Sequence, residues 1–443
     1  MWMQHPLRQA RHCNEVYPQK PRSTRSGVFA FYGQTFTDPK RPSLFAELRT
    51  LPRAYWILIA GWFVNRFGTF VMPFLTLFLT GRGHPPSSVA WVLSANGVGQ
   101  LLSSVLGGYW SDRIGRRRII VLGTLGNAAA IYAMFFVHEL WAITGMMLLA
   151  GFASGFYMPA SNALLADIVP QEMRLRAYAG QRLAINAGFA CGASAAGFLI
   201  TISTFALFAG DALTTALFGI IAWRFLPRGH KVGAKEASWS QAWRHIKTDR
   251  SFWGLFWATI LSSFVFQQFN STFGLEIKQR ALTLTVGSWK FTPEQVFGLL
   301  LGWNGVMVAC FELPMTRWTQ RFDSRRIILI GYLLMGFGFA LNALPGGTGF
   351  FFAAMTLFTV GEMLSQPMRN AYIAEIAPLH LRGRYMGALA MSGTAAAALG
   401  PHASLRIHAW NPSVLWLSCA VLGILSAVAL AAGSHTKNES ADT

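Results

Sequence analysis

Acidic residues are scarce in this chain. It holds 18 Asp and Glu among 443 residues, and charged residues of either sign make up only 12%. A soluble domain usually carries about 25% charge, so an ordinary water-facing surface is excluded over most of the length. Cysteine is almost missing too. Cys191, Cys310 and Cys419 lie in apolar stretches and Cys13 in a basic tail, which shows no disulfide framework and leaves the first three as packing residues. The ten histidines show no metal spacing such as HExxH, and no GxxxxGK[ST] loop is present to bind ATP. No nucleophile–base pair stands out. An enzyme, a metal site and a cofactor are therefore not expected.

What the chain does have is long hydrophobic runs. Apolar residues make up 53% of it and gather in twelve blocks: 54–79, 87–108, 119–137, 141–165, 177–202, 205–226, 252–274, 294–315, 327–345, 348–373, 384–405 and 413–433. About 20 mostly apolar residues suffice for a helix to cross ~30 Å of hydrocarbon. Backbone polar groups cannot go unpaired in lipid, so the blocks are predicted to be helices. The alternation of a membrane barrel is absent.

A net charge of +19 suggests nucleic acid at first sight, but its placement points elsewhere. With residue 1 in the cytosol, the segments on that side hold 29 of the 37 Lys and Arg, and the opposite loops hold Arg82, Lys278, Arg280, Lys290 and Arg406. That asymmetry is the positive-inside rule. Both termini are expected in the cytosol, the bilayer is the partner, and no nucleic acid is. Residues 1–50 are basic, rich in Pro, Ser and Gln, and lack the apolar core of a signal peptide. They read as a disordered cytosolic tail.

The chain also repeats itself at an offset of 208 residues. Pro159, Asn162, Ala163, Ala166, Asp167, Ile168, Pro170, Arg174 and Arg176 match Pro367, Asn370, Ala371, Ala374, Glu375, Ile376, Pro378, Arg382 and Arg384. Shared apolar composition does not preserve polar and proline positions over such a distance. The expected organisation is a tail at 1–53, a six-helix bundle at 54–227, an amphipathic linker at 228–251 on the cytosolic face, a second bundle at 252–433 and a tail at 434–443. An even helix count per half keeps the repeat parallel.

The run Gly108-Tyr109-Trp110-Ser111-Asp112-Arg113-Ile114-Gly115-Arg116-Arg117-Arg118 follows the second block. Gly108 lets its helix approach a neighbour closely, and Gly115 permits a tight turn. Asp112 can accept from the free N–H groups of a nearby helix start. Two parallel six-helix halves with this GxxxDRxGRR loop resemble the major facilitator superfamily, over roughly residues 52–433. The resemblance implies an all-α membrane fold of twelve helices in two pseudo-symmetric bundles, and within the family it is closest to the drug:proton antiporters. It also implies that Asp112 faces the start of the eleventh helix near Arg382–Tyr385. In the same way Gly108, Arg113, Gly115, Arg116, Arg117, Asp167 and Arg174 form a latch on the cytosolic side, with Asp167 as the partner of the arginines.

Charges inside the blocks cost at least about 2.5 kcal/mol each at mid-bilayer unless paired or hydrated. Arg66 lies mid-way along the first block beside Asn65, Glu362 mid-way along the tenth, Glu312 in the cytosolic third of the eighth and Asp211 in the outer third of the sixth. These mark a central cavity with a proton-carrying carboxylate, or else a fixed Arg–Glu brace. Arg182 and Arg369 are expected to snorkel to the cytosolic interface. Gln267, Gln268 and Asn270 in the seventh block suit a ligand or a partner helix. Thirty-five Phe and 16 Met suit a lipophilic substrate. The family's exporters often carry a Gly-Pro pair in the fifth helix. Here Gly188 to Gly197 supplies the small residues, but Ala193 stands where Pro is expected. The reading that emerges is a monomeric, proton-coupled exporter of lipophilic small molecules in a bacterial inner membrane. The alternatives are an uptake carrier with Arg66 binding an anionic metabolite, and a silent sensor or scaffold with the same fold.

Overall fold

The structure, a computed structural model, describes residues 50–227 and 239–433, without the side chains of 104–113 and of residues 172, 175, 239 and 379. The expected tail up to residue 49, the linker stretch 228–238 and the tail 434–443 lie outside the described residues. The first half comprises α1 (Arg53–Phe67), α2 (Val71–Gly81), α3 (Pro86–Ile114), α4 (Arg116–Phe136), α5 (Leu140–Ile168), α6 (Arg174–Ile202) and α7 (Thr204–Phe225). A short α8 (Trp239–Ile246) precedes the second half. That half comprises α9 (Arg250–Phe266), α10 (Gln268–Ser271), α11 (Phe273–Gln279), α12 (Pro293–Thr319), α13 (Ser324–Ala340), α14 (Thr348–Ile376), α15 (Arg382–Trp410) and α16 (Pro412–Ala432).

Nine helical stretches among the described residues are long and apolar enough to cross a bilayer: α1–α2 as one, α4, α5, α6, α7, α12, α13, α14 and α16. The other three predicted blocks fall on α3, on the broken run α9–α11 and on α15. The α9 helix is short, at 17 residues, and α15 is diluted by Gly, Ser, Arg and His. One feature was not foreseen. A small antiparallel hairpin, β1 (Leu284–Val286) with β2 (Trp289–Phe291), turns at Gly287 between α11 and α12.

The repeat is visible in the element boundaries. Shifted by 208, α5 (Leu140–Ile168) becomes α14 (Thr348–Ile376), and α6 (Arg174–Ile202) becomes α15 (Arg382–Trp410). Pro159 and Pro367 sit at the same register inside their helices. Arg117 donates to the Leu226 carbonyl at 3.2 Å, and Arg325, 208 residues on, donates to Leu430 at 3.1 Å and Ala431 at 2.6 Å. Each arginine thus donates to carbonyls at the end of its half's last helix, where backbone donors run short.

The first span is broken, and its sequence says why. Pro73 has no N–H, and its ring would clash with the carbonyl of Thr69 if the helix ran through. Proline is tolerated in the first turn of a new helix, and α2 starts at Val71. The freed amides of Phe70 and Val71 donate to one carboxylate oxygen of Asp211 on α7, at 3.1 and 2.9 Å.

The break also marks a change of partners. α1 packs against α5, α6 and α7 of its own half, whereas α2 reaches across to α10 and α11. Likewise α9 packs against α13 to α16. Along these two spans the halves therefore meet toward the end away from the basic loops, where α2 touches α10 and α11, and α1 and α9 part toward the other. At the closed end the Phe74 and Phe297 rings lie 4.9 Å apart, Trp91 meets His402 at 4.2 Å, and the Thr76 hydroxyl donates to the Asn270 carbonyl at 3.4 Å.

Two seams join the halves, α3 with α15 and α6 with α12. Both are built on glycine. A Cβ on Gly97 would lie 2.4 Å from the backbone of Ala397 and Ala398, and one on Gly298 2.8 Å from the Cα of Gly197. Gly97→Val is expected to force the α3–α15 seam apart at a cost of about 1–3 kcal/mol, the usual penalty for overpacking. A thermal unfolding midpoint in detergent equal to that of the parent would show that the seam tolerates the added bulk.

Candidate functional site

The clearest charged contact between the halves is the ion pair of Arg182 on α6 with Glu312 on α12. The Glu312 side chain is 9% exposed and that of Arg182 43%. Asn186, one turn further along α6, donates to the second Glu312 oxygen at 3.4 Å. Expected to snorkel to the interface, Arg182 instead meets a carboxylate across the seam while much of its side chain stays exposed.

Glu362 stands beside this pair on α14, within range of the charges of both Glu312 and Arg182. Asn304 on α12 donates to Glu362 at 2.9 Å and to the Thr359 hydroxyl at 3.0 Å. Sequence reading singled out both glutamates but neither Arg182 as a partner nor Asn304. Pairing across helices depends on their rotation, which hydropathy does not fix.

The remaining candidates are placed elsewhere. Among the described residues Arg66 does not pair with a glutamate. Its guanidinium lies 5.5 Å from the Trp62 ring centroid and contacts the Met158 sulfur at 3.4 Å. Asn65 is buried within the first half, donating to Thr215 at 3.1 Å and accepting from Tyr157 at 3.3 Å. Asp211 is the cap of α2 described above. Gln268 closes its amide on its own helix run, donating to the Phe264 carbonyl at 2.9 Å and accepting from Thr272 at 2.5 Å. Gln267 lines a small cavity between the halves with Met72, Asn96 and Pro401. Arg369 donates to Gln366 at 2.6 Å on its own helix.

At the basic end, Gly115 takes φ +96°, which glycine alone adopts readily, and starts α4. Arg116 forms an ion pair with Asp167 on α5. Arg117 instead caps α7, and Arg174 donates to the Val169 carbonyl at 3.4 Å, within its own turn. The side chains of Gly108, Asp112 and Arg113 lie outside the described residues. In the fifth block, Gly188 and Gly192 let α6 settle on the α1 backbone, where a Cβ on Gly192 would lie 2.0 Å from the Phe67 carbonyl oxygen.

A bundle of this topology, with paired charges between its halves, has the form of a membrane carrier. The profile of the Major Facilitator Superfamily matches residues 54–291 and 281–441, and the chain belongs to that superfamily. Its members are transporters and not enzymes. A Na(+), Li(+), K(+)/H(+) antiporter of Planococcus maritimus is 26% identical over 381 residues, spanning 80% of this chain and 88% of its own. The multidrug resistance protein MdtH of Cronobacter sakazakii is 25% identical over 395 residues, spanning 86% and 94%. Among solved structures, the nucleoside transporter NupG superposes with a TM-score of 0.73 at 15% identity, covering 86% of this chain and all of the other. A POT family transporter superposes with 0.72, also at 15% identity, covering 85% and 95%. The structural likenesses concern the fold.

Two outcomes test these placements. Asp211→Ala should cost about 1–2 kcal/mol, as loss of a helix cap does, while Asp211→Asn, which keeps an acceptor, should leave transport near the parent rate. Loss of pH-driven flux in a stable Asp211→Asn protein would make Asp211 a proton carrier instead. For the ion pair, Arg182→Met alone leaves a carboxylate without its cation, which should cost about 1–3 kcal/mol, since the site is partly hydrated. Adding Glu312→Gln should recover most of that stability. Additive losses would show that the two residues do not interact.

Proposed function

We propose that this protein is a secondary active transporter of a bacterial inner membrane that exports lipophilic, drug-like small molecules in exchange for protons. In this reading 54–227 and 252–433 are the two rocking bundles, all twelve blocks cross the membrane, the basic end faces the cytosol and the chain acts as a monomer. The observation that carries it is the Arg182–Glu312 pair spanning the α6–α12 seam, with Glu362 beside it.

The chemistry follows from that arrangement. Ionised Glu312 holds Arg182 and keeps the seam closed at this depth. A proton on Glu312 removes the charge that Arg182 answers. What then remains of the α6–α12 contact is mostly small residues packed on one another, such as Ala190 on Gly305 and Ser194 on Gly302, and it resists separation weakly. Glu362, tethered by Asn304, offers a second station for the same proton. Proton arrival and departure thereby bias the rocking of the halves about a midplane site. Arg66, with Met158, supplies the other wall of the site, where a soft, accessible sulfur suits a lipophilic ligand. At the cytosolic end the Arg116–Asp167 pair belongs to the latch in which we place Gly108, Asp112, Arg113, Gly115, Arg117 and Arg174.

The multidrug resistance protein among the relatives supports export. The cation/proton antiporter among them supports proton exchange, and it favours a second reading, exchange of an alkali cation at the neighbouring Glu312 and Glu362 carboxylates. A scaffold has little reason to bear the cost of these interior charges.

Cells expressing the protein should accumulate less of a lipophilic cationic dye, and collapse of the proton gradient should restore accumulation. Glu312→Gln and Glu362→Gln should each slow pH-driven efflux at least about tenfold, the loss of roughly 1.4 kcal/mol in the rate-limiting step. Unchanged dye accumulation together with Na(+)- or K(+)-driven proton movement in vesicles would replace the first reading by the second.

A further inference from the structure

A second buried charge cluster lies at the closed end, inside the second half and away from the Arg182–Glu312 seam. Glu276 on α11 is 2% exposed and His408 on α15 is 2% exposed. One Glu276 oxygen accepts from Arg280 Nε at 2.5 Å, and the other faces His408 Nε2 at 2.7 Å. The rest of the Arg280 guanidinium is used up on the carbonyls of Leu344 at 2.8 Å and Asn342 at 2.6 Å. The Trp416 ring on α16 lies 6.4 Å from that of His408. His408 Nδ1 is buried and has no hydrogen-bond partner among the described residues.

The cluster holds one carboxylate, one guanidinium and one imidazole, and its charges balance only if the ring is neutral. With Glu276 accepting from Arg280, the ring meets it through an Nε2–H, so the lone pair sits on Nδ1. Other charged groups on the surrounding elements do not alter this balance. Lys278 on α11 is taken by Glu294 of α12 at 3.1 Å, Arg406 on α15 is exposed, and α16 carries no charged side chain.

The position of α11 gives the cluster its consequence. α11 packs against α2 of the other half and, through Phe273, against Phe297, which meets Phe74 across the closed end. Glu276 ties α11 to α15, and Arg280 ties it to the turn after α13. The wall of the closed end is thus bolted to the second half by this cluster.

We propose that His408 is a proton-binding site at the closed end, separate from Glu312 and Glu362, and that protonating it opens that end. A proton on Nδ1 sets a second cation beside Arg280 and creates a buried N–H with no acceptor among the described residues. The repulsion from Arg280 and the unsatisfied N–H penalise the packed arrangement, against the attraction of Glu276. The penalty disappears when the ring leaves its pocket, which loosens α11 from α15 and frees the wall that α2 leans on. Arg280, 23% exposed, gives water a path to the cluster from that end.

The test reads conformation and not transport, so it stands or fails apart from the transport reading. Spin labels are placed at the exposed positions His138→Cys and Trp289→Cys, one in each half, with Cys13, Cys191 and Cys310 changed to Ser. Distances are measured by pulsed electron resonance in detergent at about pH 8 and about pH 5.5, across the range in which histidine serves as a switch. Lowering the pH should lengthen the distance by several ångströms. The same lengthening should persist when Glu312→Gln and Glu362→Gln are combined, because the central carboxylates are not the sensor. It should vanish in His408→Gln and, as a second variant that retains the ring, in Glu276→Gln. A parent distance that does not respond to pH overturns the proposal. So does a response that survives in a monodisperse His408→Gln protein, or one that is lost with the central carboxylates alone.

Discussion

An amide with no acceptor inside a hydrocarbon layer costs several kcal/mol, and the architecture follows from meeting that demand everywhere. Long helices meet it internally. The difficulty arises where a helix must break, and the first span breaks because Pro73 forbids continuation. Asp211 answers by taking both freed amides on one oxygen. That contact lets one span serve two packing environments. α1 stays with its own half, and α2 crosses to the other. Without the break, the closed end and the diverging end would have to be walled by one rigid rod.

Much of this was legible in the chain. The long apolar blocks and the 208-residue repeat lead to the fold because membrane helices are specified by local composition and by periodic punctuation. Boundaries were readable for the same reason: Pro170 and Pro378 precede matching short turns, and matching 29-residue helices follow. The sites were less legible. Arg182 looked like an interfacial cation because its partner lies 130 residues away on another helix. The capping contacts of Asp211 show only once the broken helix is in place. Glu276 and His408 escaped notice because each lies just past the end of an apolar block, where a charge looks solvated. Local sequence encodes which face of a helix is apolar, but contact between two particular polar groups is set by how helices rotate against each other.

The second-half copy of the charged loop shows how a repeat divides labour. Asp323 stands where Gly115 does in the first half, and it caps α13 by accepting from the Arg326 amide at 3.0 Å. Gly115 begins α4 with no side-chain cap, through its positive φ. Arg117 and Arg325 do the same work in both halves.

The glycine seams carry a mechanical consequence. Gly97 against Ala397 and Gly197 against Gly298 form contacts in which backbone meets backbone, and little side chain interlocks there. Interdigitated side chains act as teeth, which must be withdrawn before two surfaces can part. A surface without teeth behaves as a bearing. It separates over a short travel and closes again in more than one tilt. Adhesion across such a surface is modest and nearly uniform along its length, so one ion pair near its mouth has disproportionate leverage over whether the two halves hold together or roll apart.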